Sequence, residues 1–235
     1  MASSQTVPVT AFKAEQVKWL YRNLGAALLG GGLVATILTV ALWPVASHVL
    51  LGGWLAGILA VSLARFAVAR RYWAAQPLSQ DCEVWENRHL AGVAVAGIVW
   101  GSAGLLLFSK ESIEHQVLVA FALGGCAAGA IATLAIRLEA WLLFAVPTML
   151  PLTLRFFYHG GETSLAMGGM MTAFVVLLTV TARTTRDTLI ASLTLRLEKQ
   201  DLIADLTASK ERVEHLNEVL VKDLALRAET EKELR

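Results

Sequence analysis

Charged residues are missing over long stretches of this chain. No Asp, Glu, Lys or Arg occurs between Leu24 and Ala64. Over the whole sequence 17% of residues are charged and 56% are hydrophobic. Such a run is too apolar for the surface of a soluble domain and too long for one membrane-spanning helix. The net charge of +1 gives no basic surface, so nucleic acid is excluded as a predicted partner.

Cysteines and catalytic motifs are also scarce. The two cysteines, Cys82 and Cys126, make neither a disulfide framework nor a metal motif. The chain has no Gly-rich phosphate loop, no HExxH pair and no nucleophile elbow. His215 lacks the surroundings of a phospho-accepting histidine and is interpreted as an exposed residue of a charged helix. No catalytic residue is therefore predicted, and whether the parent protein is an enzyme stays open.

What the chain does contain is apolar segments of membrane-spanning length, divided by short polar breaks such as Trp43-Pro44. Each is about as long as a helix needs to cross the hydrocarbon layer. They predict an all-α fold, a bundle of six transmembrane helices. The predicted spans are Leu24–Leu42, Val49–Val68, His89–Phe108, Gln116–Ile136, Ala140–Phe157 and Ser164–Ala182.

Basic residues divide unevenly between the two faces of this topology. One face receives two of them, Lys110 and Arg155. The other receives Lys13, Lys18, Arg22, Arg70, Arg71, Arg137, Arg183 and Arg186. Because the positive face stays inside, both termini are predicted to be cytoplasmic, with residues 1–23 as an N-terminal cytoplasmic or interfacial segment. Arg65 is predicted to snorkel towards the inner surface.

Small residues and prolines mark the predicted packing faces. Three spans carry pairs of glycines four residues apart, a spacing that lets membrane helices approach closely. The pairs are Gly53 and Gly57, Gly97 and Gly101, and Gly125 and Gly129. Pro147 and Pro151 free backbone carbonyls one turn apart in the fifth span, and a kink is predicted there.

The segment that follows the sixth span is charged, contains no Gly or Pro, and has an apolar residue at most a and d positions of a heptad. This pattern is typical of a coiled coil, and a parallel homodimer is predicted. The seam residues are Leu195, Leu202, Leu206, Val213, Leu216 and Leu220. Because the chain stops within this helix, a further output domain is expected beyond Arg235.

Two alternative ligand sites are considered on the outer side of the bundle. The predicted outer loops carry histidines and carboxylates, a donor set that suits Zn²⁺ or Cu²⁺. These residues are His48, His115, His159, Glu114 and Glu162. Short loops at the level of the lipid headgroups also favour His and Glu as ordinary polar residues. The metal site is therefore one of two interpretations, and no cofactor is assigned.

The other candidate is a pocket within the bundle for a small apolar ligand. The residues proposed to line it are Trp100, Cys126, Pro147 and Pro151. Arg155 at its outer mouth would meet a carboxylate head, or alternatively a lipid phosphate.

Two apolar motifs and the charged ending carry a family resemblance. They are Trp100-Gly101-Ser102-Ala103-Gly104, Pro147…Leu150-Pro151-Leu152 and Arg227-Ala228-Glu229-Thr230-Glu231-Lys232-Glu233-Leu234-Arg235. With six spans and a cytoplasmic helix, they resemble the membrane input modules of bacterial sensor histidine kinases and diguanylate cyclases. The resemblance implies a sensor in the bacterial inner membrane that serves a two-component system.

The resemblance also implies a division of the chain. Residues 24–183 would be the transmembrane sensor and residues 184–235 a coiled-coil signalling helix. The stimulus would pass through the sixth span into the dimeric coil. A sensor histidine kinase is the predicted parent protein, with a diguanylate cyclase as the alternative. A small transport or scaffold membrane protein with a coiled-coil tail is the alternative from another functional class.

Overall fold

Six helices make up most of the chain. The computed structural model describes residues 9–77, 81–109 and 112–233, with side chains for 12–77, 81–109 and 112–222. The helices, in chain order, are α1 Val9–Leu42, α2 His48–Ala75, α3 Cys82–Leu106, α4 Ile113–Leu134, α5 Leu138–His159 and α6 Glu162–Glu233. Within these ranges there is no strand. The prediction of an all-α fold is confirmed.

All six helices are long and apolar enough to cross a membrane. Large apolar side chains lie on the outside of the bundle, as lipid-facing positions require. Leu29, Val49 and Phe121 are each about four-fifths exposed, at 79%, 83% and 80%. Composition and surface together are those of a membrane-embedded helical bundle, in agreement with the predicted spans.

Two of the turns between helices are explained by their residues. Gln76, the residue after α2, has a left-handed φ of 41°, and Pro77 cannot donate the hydrogen bond that would continue the helix. Gly160 and Gly161 join α5 to α6 with φ of 72° and 84°, a conformation that glycine adopts without steric cost. The Gly160-Gly161 turn allows an immediate reversal of the chain between α5 and α6.

The chain divides into two units, one formed by Pro8–Ile190 and one that includes Ala191–Arg235. The first, called the bundle below, holds α1 to α5 and the membrane-spanning part of α6. Within it α3 packs against α1, α2, α4 and α5. Its core includes Leu38, Leu51, Val93, Leu123 and Leu152, which are fully buried.

Aromatic donors hold neighbouring helices together in the bundle. Trp54 Nε1 of α2 donates to the Val99 carbonyl of α3 at 3.0 Å. Trp141 Nε1 of α5 donates to the Ala127 carbonyl of α4 at 3.1 Å. Each indole N–H would otherwise be unsatisfied in an apolar interior, so these bonds fix helix register as well as contact.

One of the three predicted glycine pairs forms a close helix contact. A Cβ on Gly97 would lie 2.7 Å from the Phe144 carbonyl oxygen of α5, and one on Gly101 would overlap the Pro147 carbonyl oxygen. Gly53, Gly125 and Gly129 have nothing within 4 Å of the same position among the described residues. Close packing is therefore concentrated between α3 and α5.

The carbonyl oxygens that the two prolines leave without a helical hydrogen bond lie in the α3–α5 contact. Pro147 and Pro151 lie within α5 and lack the N–H groups that would bond to the carbonyls of Leu143 and Pro147. A Cβ on Gly97 would lie 3.0 Å from the Leu143 carbonyl oxygen, so both freed oxygens face glycines of α3. Backbone Cα–H groups are the partners that glycine brings to such a contact.

Candidate functional site

An aromatic cluster ties the ends of α1, α2 and α3 at the face predicted to be cytoplasmic. The rings of Tyr21 and Tyr72 stack with centroids 4.0 Å apart and planes 7° apart. Trp85 meets both rings edge-on. The Tyr21 hydroxyl donates to the Trp85 carbonyl at 2.8 Å. One side chain from each helix therefore fixes the spacing of the three ends.

The next residue of α3 forms an ion pair with the start of α5. Glu86 is 7% exposed and its carboxylate is paired with the Arg137 guanidinium. Arg137 Nε also lies 3.9 Å from Glu139 Oε2. The pair neutralises two charges that would be costly to bury separately at the edge of a membrane.

His89 lies one turn further into the bundle and is 4% exposed. Its Nε2 atom is buried and has no hydrogen-bond partner among the described residues. The Tyr21 ring packs edge-on against the imidazole, with centroids 5.1 Å apart. A buried ring nitrogen without a partner is unusual in a folded protein.

His89 lines a cavity between α1, α2 and α3, called the basic cavity below. Its volume is about 340 Å³, and its described lining includes three basic side chains and no carboxylate. The lining residues are Tyr21, Leu24, Val61, Ala64, Arg65, Val68, Arg88, His89, Ala91, Gly92 and Val95. Most of the lining is apolar, and the charges of Arg65 and Arg88 favour a negative group at their end of the cavity.

A second cavity, called the apolar cavity below, lies among α1 to α5 and has a volume of about 410 Å³. Small and apolar side chains line it. They include Gly31, Val34, Ile58, Ala96, Trp100, Gly125, Cys126, Gly129 and Phe144. Val61 and Arg65 line both cavities. The volume falls within the range of ligand pockets, roughly 300–1,000 Å³.

The residues predicted to line an apolar pocket are only partly brought together. Trp100 and Cys126 line the apolar cavity. Pro147 and Pro151 lie within α5 and are not among the residues that line either cavity. Arg155 lies over the Phe108 ring at 5.3 Å and does not line the apolar cavity. The basic residue that lines this cavity is Arg65.

The residues predicted for a metal site each have a local neighbour. His48 stacks on Trp43 with centroids 4.3 Å apart. His115 Nδ1 lies 2.5 Å from Ser112 Oγ, and His159 packs edge-on against Phe108.

Glu114 and Glu162, the carboxylates of that predicted set, lie in the first turns of α4 and α6. Across the three described ranges, no group of three or more His, Cys, Asp or Glu side chains is placed to hold a metal ion. The Zn²⁺ or Cu²⁺ site stays a prediction to which this geometry adds no support.

The predicted coiled-coil seam is exposed along α6. Its six side chains have 56–72% of their surface accessible, namely Leu195, Leu202, Leu206, Val213, Leu216 and Leu220. A row of exposed apolar residues on one helix face is unusual unless a partner covers it. The coiled coil stays a prediction.

The sequence predicts no role for Glu86 or His89. The predicted spans Val49–Val68 and His89–Phe108 leave residues 69–88 between them, but α2 continues to Ala75 and α3 begins at Cys82. Glu86 lies outside the predicted span His89–Phe108, yet it is helical and buried, and His89 is buried as well. The available signal was the spacing of His89, which follows Trp85 by four residues and Glu86 by three and therefore lies beside both on the helix surface.

Comparisons with models of known protein families, with curated proteins and with solved structures found no match to this chain.

Proposed function

We propose that this chain is the transmembrane input module of a bacterial signalling receptor, a sensor histidine kinase of a two-component system. The observation that carries the proposal is the composition of α6. This helix runs without a break from Glu162 to Glu233, with an apolar first part and exposed apolar residues at heptad spacing in its later part. One helix thus joins a membrane span to a surface suited to a second copy of the chain.

A signal can cross the membrane only if ligand binding and the output domain both act on the position of the same helix. α6 contacts α4 where Phe174 packs on Gly124, and α5 where Gly168 packs on Phe157. A ligand that binds one arrangement of α1–α5 better than another would therefore change the position of α6. In a parallel dimer that change would alter the geometry of the coil and hence of a kinase attached to it.

The exposed seam favours a receptor over a transporter with a tail. A transporter does not need heptad spacing, whereas a dimeric signalling helix needs the six apolar positions on one face. A diguanylate cyclase would use the same helix, so it remains the alternative output within this class.

A fusion of the full chain to the catalytic core of a known histidine kinase tests the proposal. Four alanines inserted between Ile190 and Ala191 would change the heptad phase, whereas seven inserted residues would preserve it. We expect the four-residue insertion to abolish kinase activity or to make it constant whatever the stimulus. The seven-residue insertion should leave the activity close to that of the parent fusion. Equal output from both insertions would contradict transmission through a coiled coil.

A further inference from the structure

Arg65 of α2 is a cation that has no counter-ion among the residues that the structure describes. Its stem crosses α3 at Gly92, where a Cβ would lie 3.1 Å from Arg65 Cγ and 3.8 Å from its Nε. Gly92 therefore provides the space through which this side chain reaches the boundary between the two cavities.

The groups around Arg65 add a second positive charge and a buried ring nitrogen without a partner among the described residues. His89 lies one turn before Gly92 on α3, and its buried Nε2 has no partner among the described residues. Arg88 also lines the basic cavity. The nearby carboxylate of Glu86 is engaged by Arg137, so it does not neutralise Arg65.

These groups are suited to bind the negatively charged oxygens of a ligand. A guanidinium is always protonated and its N–H groups match the oxygens of a phosphate or carboxylate. An unpaired charge in a membrane interior is costly, and an anion that pairs with it removes that cost. An oxyanion held by Arg65 would also give His89 Nε2 the partner that it lacks.

The apolar cavity continues from this point because Arg65 and Val61 line both cavities. We infer that the two cavities form one binding site for an amphiphile with a single oxyanion head, a phosphate or a carboxylate. The head binds Arg65 and His89 in the basic cavity. The acyl chain lies in the apolar cavity against Trp100 and Cys126.

The basic cavity is open to the lipid phase along one edge, where its lining residues are exposed on the surface of the bundle. Ala64 and Ala91 of the basic cavity are exposed, and Val95 is 48% exposed. Small side chains at this edge leave the Arg65 head reachable for a molecule that lies in the bilayer. The binding site does not depend on the proposed receptor function, because binding is measured on the chain alone.

The test uses the full chain, purified and delipidated in a neutral maltoside detergent. Dodecyl phosphate, laurate and the uncharged dodecanol are titrated, with bound molecules counted by native mass spectrometry and occupancy followed by Trp fluorescence. We expect dodecyl phosphate and laurate to bind about tenfold or more tightly than dodecanol, the factor typical of a charge-assisted hydrogen bond. Equal affinity of all three would overturn the inference, even if no variant folds.

Substitutions test which residues bind the anionic head of the amphiphile. Arg65→Gln should remove the preference for the charged amphiphiles, Arg65→Lys should keep part of it, and His89→Phe should weaken it several-fold. Arg70→Gln is the matched control, because Arg70 is exposed on the same helix and does not line the cavity. An unchanged preference in a folded Arg65→Gln protein would also overturn the inference.

Two further arms identify the source of the anion. Phosphatidylglycerol that remains bound after purification, and is displaced by dodecyl phosphate, would identify a lipid headgroup as the natural ligand. Binding of added laurate without retained phospholipid would identify a free fatty acid. Inorganic phosphate that competes as well as dodecyl phosphate would mean that the apolar cavity contributes nothing, and the amphiphile inference would fail.

Discussion

Arg137, the residue before α5, forms an ion pair with Glu86 in the second turn of α3. The two residues are far apart in sequence and join the connection between α4 and α5 to the entry of α3. The Glu86 side chain is 9% exposed and that of Arg137 is 29% exposed. The contact therefore holds together two parts of the bundle that the chain itself does not link.

Removing one partner of this pair should destabilise the bundle. We expect Glu86→Gln to lower the free energy of unfolding by about 2 kcal/mol, because Arg137 is left without its main counter-ion. The double variant Glu86→Gln with Arg137→Gln should recover part of this loss. Thermal unfolding in detergent, followed by circular dichroism, measures both. Glu83→Gln, at an exposed position in the first turn of α3, is the control and should change little.

A methyl group on Gly101 should separate α3 from α5. Its Cβ would overlap the Pro147 carbonyl oxygen, so Gly101→Ala should cost about 2 kcal/mol or more, as overpacking does. Gly53→Ala is the matched control, since no described atom lies within 4 Å of that Cβ and alanine favours helices by about 1 kcal/mol. If both variants unfold at the same temperature as the parent, the close α3–α5 contact is wrong.

The seam of α6 should hold two copies of the chain together in membranes. Cysteines introduced at Leu206 or Val213 should crosslink to the same position of a second copy, whereas a cysteine at Glu211, off the seam, should crosslink poorly. Leu206→Glu combined with Val213→Glu should remove crosslinking at another seam position, because four carboxylates would face each other. Absence of crosslinking at both seam positions would rule out the parallel homodimer.

The termini should be cytoplasmic. In a chain that carries Cys82→Ser and Cys126→Ala, single cysteines at Ser47, Glu114 and Glu162 should react with a membrane-impermeant thiol reagent added outside intact cells. A cysteine at position 77 should react only after the membrane is opened. External labelling at position 77 would invert the topology that the basic residues predict.

The positions of the helices were predictable because the bilayer imposes length and composition on each span. The predicted span Ala140–Phe157 differs from α5, Leu138–His159, by two residues at each end. Hydropathy detects such segments since each is apolar over its own length. The difference is larger at the start of α3, where the predicted span begins at His89 and the helix begins at Cys82.

That difference has a physical cause. Glu86 is tolerated in a buried turn because Arg137 pairs with it, and no window along the chain can show a partner so distant in sequence. Arg65 raises the same difficulty. Its place between two cavities depends on the space left by Gly92, a residue of another helix; its snorkelling stays a prediction.

The fit of Gly97 and Gly101 against the oxygens freed by Pro147 and Pro151 makes α3 and α5 a single rigid body. Neither helix can rotate against the other without driving a carbonyl oxygen into backbone. The remaining helices meet through side chains, which can change rotamer. Both cavities are lined by α1 and α2 together with α3, so the internal volume of the bundle lies beside the α3–α5 contact, where helices meet through side chains.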